Sequence, residues 1–277
     1  MKTLFKFFPI FLLVLTLTGC IDVQYKMNLK TDGSGTIEEI VYMNSAMIQM
    51  LKGFMAMGND STQQKEFSLF DEDELRKEAK DLGKGVRYVS GEELKDNGRE
   101  GYRAVFEFDD VNKIKMNEDV SNKTPSMGEE ETPEDDITFK FIKGSPATLM
   151  IYMPEDDEGE NEVEGQNEAA EGNEVESDSN SIQDEEWTDE MKNMMKDFRI
   201  SIQIELDGDI VETNATNVDG SNITLLEVSF NKLLEDPEKF KKLKGLDDAS
   251  YEETKELLKD IPGVKLEMNE EVKVVFE

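Results

Sequence analysis

The chain of 277 residues contains no histidine and a single cysteine, Cys20. The lack of histidine excludes Ser-His-Asp triads, Cys-His dyads, imidazole bases and histidine-based metal sites. One cysteine cannot form an intramolecular disulfide or a cysteine-based zinc site. The chain also has only one tryptophan, so it offers little indole surface on which a sugar ring could stack. We therefore predict a non-enzymatic protein with no catalytic residue, no metal and no cofactor.

Positive charge is also scarce, since 31 Lys and Arg residues stand against 64 Asp and Glu, giving a net charge of −33. This sign repels a phosphate backbone, so we expect no nucleic-acid partner. The stretch 155–190 holds 17 acids and no base, and 129–136 holds six more acids. Such segments bury too little apolar surface to offset their ordering entropy. We predict acidic disordered loops at about 117–136 and 154–186, within one domain of residues 20–277.

The N-terminus has the pattern of a targeting segment. Two lysines in the first six residues precede an almost purely apolar run over 7–17, which is too short to be a standard membrane span. The run ends in Leu17-Thr18-Gly19-Cys20, which resembles the lipobox of bacterial lipoproteins. That resemblance implies a signal peptide over 1–19 and a diacylated Cys20 as the first mature residue. The alternative is a plain secretory signal in which the cysteine stands by chance.

A lipidated Cys20 would make the membrane a direct partner of the protein. Two or three acyl chains anchor a protein stably, whereas one chain is marginal. We therefore predict a lipid-anchored, extracytoplasmic protein, at the periplasmic face, the outer membrane or the cell surface.

Period-two alternation dominates the remaining sequence. Eleven short strands are predicted between residues 21 and 276, mostly separated by Asp- and Gly-rich turns, which favours antiparallel pairing of consecutive hairpins. Helical spacing and capping residues predict helices over 45–57, 71–82, 188–197 and 250–259, with a further helix opening at 236–237. The predicted fold class is α+β, mainly antiparallel sheet built from consecutive hairpins with several short helices.

Methionines crowd the predicted helix 45–57, and a second group stands at 191–195. Three interpretations are open for them: core packing, an adaptable surface for an apolar ligand or partner, and Cu(I) binding through thioethers. Core packing is the simplest. The candidate ligand-binding residues are Met47, Met50, Leu51 and Phe54.

Three other patterns have simpler structural interpretations. Ser229 and Lys232 match the Ser-x-x-Lys motif of penicillin-recognising enzymes, but its companion motifs are absent, and we assign Ser229 to the end of a strand. The segments 207–209 and 217–220 carry acids but lack the register of a calcium loop, and turn chemistry explains their Asp and Gly. The aromatic residues Tyr102, Phe106 and Phe108 alternate along one strand and are assigned to the core.

Three stretches together resemble the LppM-like lipoprotein domain: Cys20 to Thr36 with Asp32-Gly33-Ser34-Gly35, Gly101 to Val111, and Asp207 to Ala215 followed by Gly220 and the strand 223–230. The resemblance implies an α/β sandwich-like domain on a lipid anchor, a lipid-binding role and no catalysis. It supplies no site residues to carry over.

The sequence therefore predicts a lipid-anchored bacterial envelope lipoprotein that binds a partner protein or an apolar or lipid ligand. The alternative is a carboxylate-dependent envelope hydrolase acting on glycans, since so many acids offer many carboxylate pairs. A purely structural spacer is disfavoured, because a spacer does not need a core built from so many alternating strands.

Overall fold

The computed structural model describes residues 21–58, 68–96, 98–117, 136–154, 197–236, 258 and 261–277. The predicted signal peptide, Cys20 and most of both predicted acidic loops lie outside these residues. So does nearly all of the helices predicted over 188–197 and 250–259 and from 236–237, and so do the methionines of 191–195.

The larger of two sheets has eight strands. Its strands are β1 (Ile21–Leu29), β2 (Gly35–Asn44), β3 (Arg87–Asp96), β4 (Arg99–Phe108), β8 (Arg199–Leu206), β10 (Val218–Asp219), β11 (Asn222–Ser229) and β12 (Val264–Leu266). Seven follow the order β10-β11-β8-β1-β2-β4-β3, and β12 pairs with β11 further along the edge that β10 occupies. Strand β1 is therefore central, with strands on both sides.

The central pair of this sheet is parallel. Strand β1 pairs with β8 in parallel from Asp22 opposite Arg199 to Leu29 opposite Leu206. On its other edge β1 forms an antiparallel hairpin with β2, in which Ile21 stands opposite Met43. The centre of the sheet therefore departs from the predicted consecutive antiparallel hairpins, because its two strands come from distant parts of the chain.

The smaller sheet has five strands in the order β5-β6-β7-β13-β9, all antiparallel. They are β5 (Lys115–Asn117), β6 (Asp136–Ile142), β7 (Ala147–Tyr152), β9 (Ile210–Thr213) and β13 (Glu271–Phe276). Strand β9 pairs with β13 and not with β8, so residues 207–209 carry the chain from one sheet to the other. The chain therefore does not fold back as a hairpin at 207–209, contrary to the predicted run of consecutive hairpins.

Helices are few among the described residues: α1 (Ser45–Gly58), α2 (Glu72–Asp81) and α3 (Phe230–Leu234), with a 3₁₀ turn at Val111–Lys113. Helix α2 confirms the helix predicted over 71–82, and Asp71 is its N-cap, because the Asp71 side chain accepts a hydrogen bond from the Asp73 backbone N–H. Helix α1 begins directly where β2 ends, and its first turn is capped by Asn44, whose Oδ1 accepts from the Met47 N–H at 2.9 Å.

The core is formed by the inward faces of both sheets, whose buried residues belong to one continuous cluster. Burial alternates along β1 and β2 as the sequence predicts, and Tyr102, Phe106 and Phe108 of β4 are buried as predicted. Hydrophobic burial of this kind is the main stabilising contribution to a fold.

The predicted α+β class is wrong. Strand makes up 56% of the structure and helix 17%, and the two sheets form its layers. The described helices are too few and too short to form a layer of their own: α1 packs against the end of β2 and α2 against β3. Local periodicity identifies individual helices, but it does not indicate whether they build a layer or only cover an edge.

Candidate functional site

The chain leaves the predicted lipid anchor at one end of the larger sheet. This end, here called the Cys20 end, consists of Ile21, Asn44, Arg99, Arg199 and Ser229, which lie at the same end of neighbouring strands. The opposite end, called the far end, consists of Leu29, Gly35, Phe108 and Leu206. Ile21 is the first residue of β1 and is only 3% exposed, so the residue that follows Cys20 in the chain is part of the core.

A charged cluster fixes β1 to its neighbours at the Cys20 end. The Asp22 carboxylate lies 3.6 Å from the Arg99 guanidinium and accepts a hydrogen bond from Gln24 at 2.9 Å. Arg99 also pairs with Asp96 at 3.1 Å and lies over the Tyr42 ring, 4.6 Å from its centroid. Burial raises the pKa of the Asp22 carboxyl, and the bond from Gln24 and the charges of Arg199 and Arg99 offset that rise only in part.

Helix α1 starts at the same end and carries the predicted ligand-binding residues. Met47 and Leu51 are each 7% exposed and belong to the core cluster, together with Ile48. The core interpretation of the methionines therefore fits Met47. The side chains of Met50 and Phe54 lie outside the described residues, so a ligand face on α1 stays a prediction.

The Ser-x-x-Lys match lies where β11 passes into α3. Ser229 ends β11, as predicted, and precedes the first residue of the helix. The Lys232 ammonium lies 2.8 Å from Glu227, which also faces Lys265 at 3.4 Å. Burial pushes the pKa of the Glu227 carboxyl upward, but the two lysines and Arg199 outweigh burial and hold that pKa below its usual value. Lys232 is thus engaged in an ion pair with a carboxylate.

The sequence analysis did not predict a buried carboxylate that lies on the core side of the larger sheet. Glu39 has no exposed surface and accepts a hydrogen bond from the Tyr102 hydroxyl at 2.8 Å. Tyr25 stands opposite Glu39 on β1. Burial raises the pKa of the Tyr25 hydroxyl well above its usual value, and the negative charges of Glu39 and Glu78 raise it further.

The signal for Glu39 is present in the sequence. Ile37, Glu39, Val41 and Met43 share one phase of the period-two pattern, so an inward Ile37 and Val41 require an inward Glu39. The adjacent acids at 38–39 obscure this period-two pattern, because two neighbouring glutamates are typical of a solvent-exposed stretch.

The outer face of the larger sheet is lined with ion pairs. Glu38 pairs with Arg103, Glu205 with Lys26, and Glu107 with Arg87. Two shallow depressions of about 320 Å³ each lie at opposite ends of this sheet. Asp197, Asn231, Leu234 and Glu235 line the one near the Cys20 end, and Asn28, Lys30, Thr36, Glu205, Leu206 and Asp207 line the one near the far end.

Within the part of the chain that the structure describes, no group of three His, Cys, Asp or Glu side chains is arranged to hold a metal ion. Of the two acidic segments considered for calcium, 207–209 is a connection, and 217–220 includes β10 and the turn that follows it. At 207–209, backbone hydrogen bonds join Asp207 to Leu29 and Asp209 to Glu277, and Gly220 turns the chain between β10 and β11 with a φ of 61°. None of the described helices has the length and apolar character needed to cross a bilayer.

No protein-family model and no curated protein matches the chain. Among solved structures, the NMR structure of the folded domain of LppM from Mycobacterium tuberculosis is similar, with 7% sequence identity and a TM-score of 0.31 over 77% of this chain and 85% of that domain. The resemblance predicted from the sequence is therefore supported only as a weak likeness of fold, and we infer no function from it.

Proposed function

We propose that this chain is a non-enzymatic, lipid-anchored envelope protein held to its membrane through Cys20. The observation that carries the proposal is the position of β1. It begins at Ile21, so cleavage before Cys20 would remove only residues 1–19 and leave every described strand intact. The lipobox-like residues and the position of β1 both fit a single cleavage of the chain immediately before Cys20.

The proposed role of the domain is to bind a partner protein or an apolar or lipid ligand. Ion pairing of four described glutamates weighs against those four as the carboxylates of a glycan hydrolase. A glycosidase needs an acid and a second carboxylate that are both available to the sugar. On the outer face, Glu38, Glu107 and Glu205 are each paired with a basic side chain, as is Glu227.

Detergent phase partitioning of two variants tests the anchor. Cys20→Ser should move the protein out of the detergent phase or leave it unprocessed, because the acylated thiol is lost. The matched control, Gly19→Ala, keeps a small residue before the cysteine and should partition like the wild type. Equal partitioning of the wild type and Cys20→Ser would refute the lipid anchor.

Peroxide footprinting with and without a membrane-lipid extract tests the ligand role of α1. Buried thioethers react slowly, so Met27 and Met43, which are fully buried, serve as internal controls in both states. If α1 borders a lipid site, Met50 should be oxidised without lipid and protected with it. Equal oxidation of Met50 with and without lipid would show that α1 does not bind lipid.

A further inference from the structure

The predicted anchor and the sheet are separated by no spacer. Consecutive Cα atoms are about 3.8 Å apart, so the backbone of Cys20 lies next to that of Ile21. Ile21 is itself buried and paired in register with Met43. Asp22 is fixed by the ion pair with Arg99 and lies opposite Arg199 of β8. The anchored residue therefore has no free length of chain between it and the folded domain.

The anchor also enters at the middle of the sheet. Strand β1 has β8, β11 and β12 on one side and β2, β4 and β3 on the other. With neighbouring strands about 4.8 Å apart, these seven strands give the Cys20 end a breadth of about 29 Å. A sheet held at the centre of such an edge cannot tip within its own plane without pressing one flank into the headgroup layer.

From these two features we infer that the Cys20 end of the larger sheet lies against the lipid headgroups of the bilayer, while the far end points away from it. This inference rests on the proposed lipidation of Cys20. Eight residue steps along β1 place the far end about 26 Å further from the anchor. Helix α1 and the depression lined by Asp197 and Asn231 are then at the level of the headgroups. The turn at 30–34 and the β10–β11 connection face the aqueous side.

Fluorescence quenching by a headgroup-nitroxide lipid tests this orientation. Because Cys20 is the only cysteine and would carry the lipid, single introduced cysteines can be labelled selectively. Lys95→Cys and Asn231→Cys report on the two flanks of the Cys20 end, and Thr31→Cys and Asp219→Cys report on the far end. All four positions are exposed. The full lipidated chain is reconstituted in phosphatidylcholine–phosphatidylglycerol vesicles containing the nitroxide lipid.

We expect at least three-fold stronger quenching at Lys95→Cys and Asn231→Cys than at the two far-end positions. A control chain with a 16-residue Gly/Ser linker between Cys20 and Ile21 stays lipidated, but its anchor has a mean reach of about 20–24 Å. The linker should abolish most of the difference between the two ends.

The outcomes separate the two proposals. Acylated Cys20, confirmed by mass, together with equal quenching at both ends of the linker-free chain would overturn the orientation and leave the lipid anchor standing. Unmodified Cys20 in membrane-derived protein would overturn the anchor, and the orientation with it.

Discussion

Glu39 places a carboxylate among apolar side chains of the larger sheet, where an ionisable group is costly unless it is hydrogen-bonded. The Tyr102 hydroxyl donates to it across the neighbouring strand. The Tyr88 hydroxyl, on the next strand, is also buried but has no hydrogen-bond partner among the described residues. These two tyrosines therefore provide a matched pair with opposite expected effects.

Tyr102→Phe should lower the free energy of unfolding by about 1–2 kcal/mol, because it removes a donor from a buried carboxylate. Tyr88→Phe should leave that free energy unchanged or raise it slightly. It keeps the ring contacts with Phe106 and Arg76 and removes a hydroxyl without a partner. Urea unfolding measures both variants. A larger loss for Tyr88→Phe than for Tyr102→Phe would contradict the assigned hydrogen bond.

The ion-paired carboxylate of Glu227 should make the free energy of unfolding depend on pH. Its pKa in the fold lies below the usual glutamate value of about 4.5, so the ionised carboxylate contributes stability above about that pH, and this contribution is lost as pH falls through the lower, folded pKa. Lys232→Met should cost about 1–2 kcal/mol at pH 7 and progressively less below pH 4.5.

The control for this prediction is Lys77→Met, which breaks the exposed pair with Glu74 on α2 and should leave unfolding unchanged. Unfolding curves of both variants between pH 3 and pH 7 provide the comparison. A cost of Lys232→Met that is constant over that range would contradict the pairing with Glu227.

At the scale of elements, features set by neighbouring residues were predictable. The β1–β2, β3–β4 and β6–β7 hairpins and the capped helix α2 all follow from alternation, turn residues and an N-cap Asp. The parallel β1–β8 pair and the transfer of β9 to the smaller sheet were not predictable. Both depend on which distant strand offers a matching buried face, and a local pattern does not encode that choice.

Helix α1 should depend on its cap. Asn44→Ala removes the acceptor of the Met47 N–H and should lower the free energy of unfolding by about 1 kcal/mol. Asn44→Asp keeps an acceptor at the same position and should restore most of the loss. Thermal unfolding followed by circular dichroism tests both variants. Equal destabilisation by Ala and Asp would show that the cap does not stabilise α1.

At the scale of the whole molecule, two sheets share one core, and the chain enters this core directly after Cys20. The candidate site was only partly predictable. The lipobox-like residues 17–20 predict an anchor at Cys20, but that the next residue begins a central strand follows only from the strand order. The Met-rich helix was recognised as a unit, while the burial of Met47 and Leu51 depends on its packing against the sheet.

The most direct test of the account is the mass of the N-terminal peptide of the protein isolated from its own membrane fraction. We expect a peptide that begins at Cys20 and carries a diacylglyceryl group, followed without interruption by Ile21 and Asp22. Cys20→Ser should yield no such peptide. An unmodified Cys20 in the membrane-derived protein, or a peptide that continues through residues 1–19, would contradict the central claim.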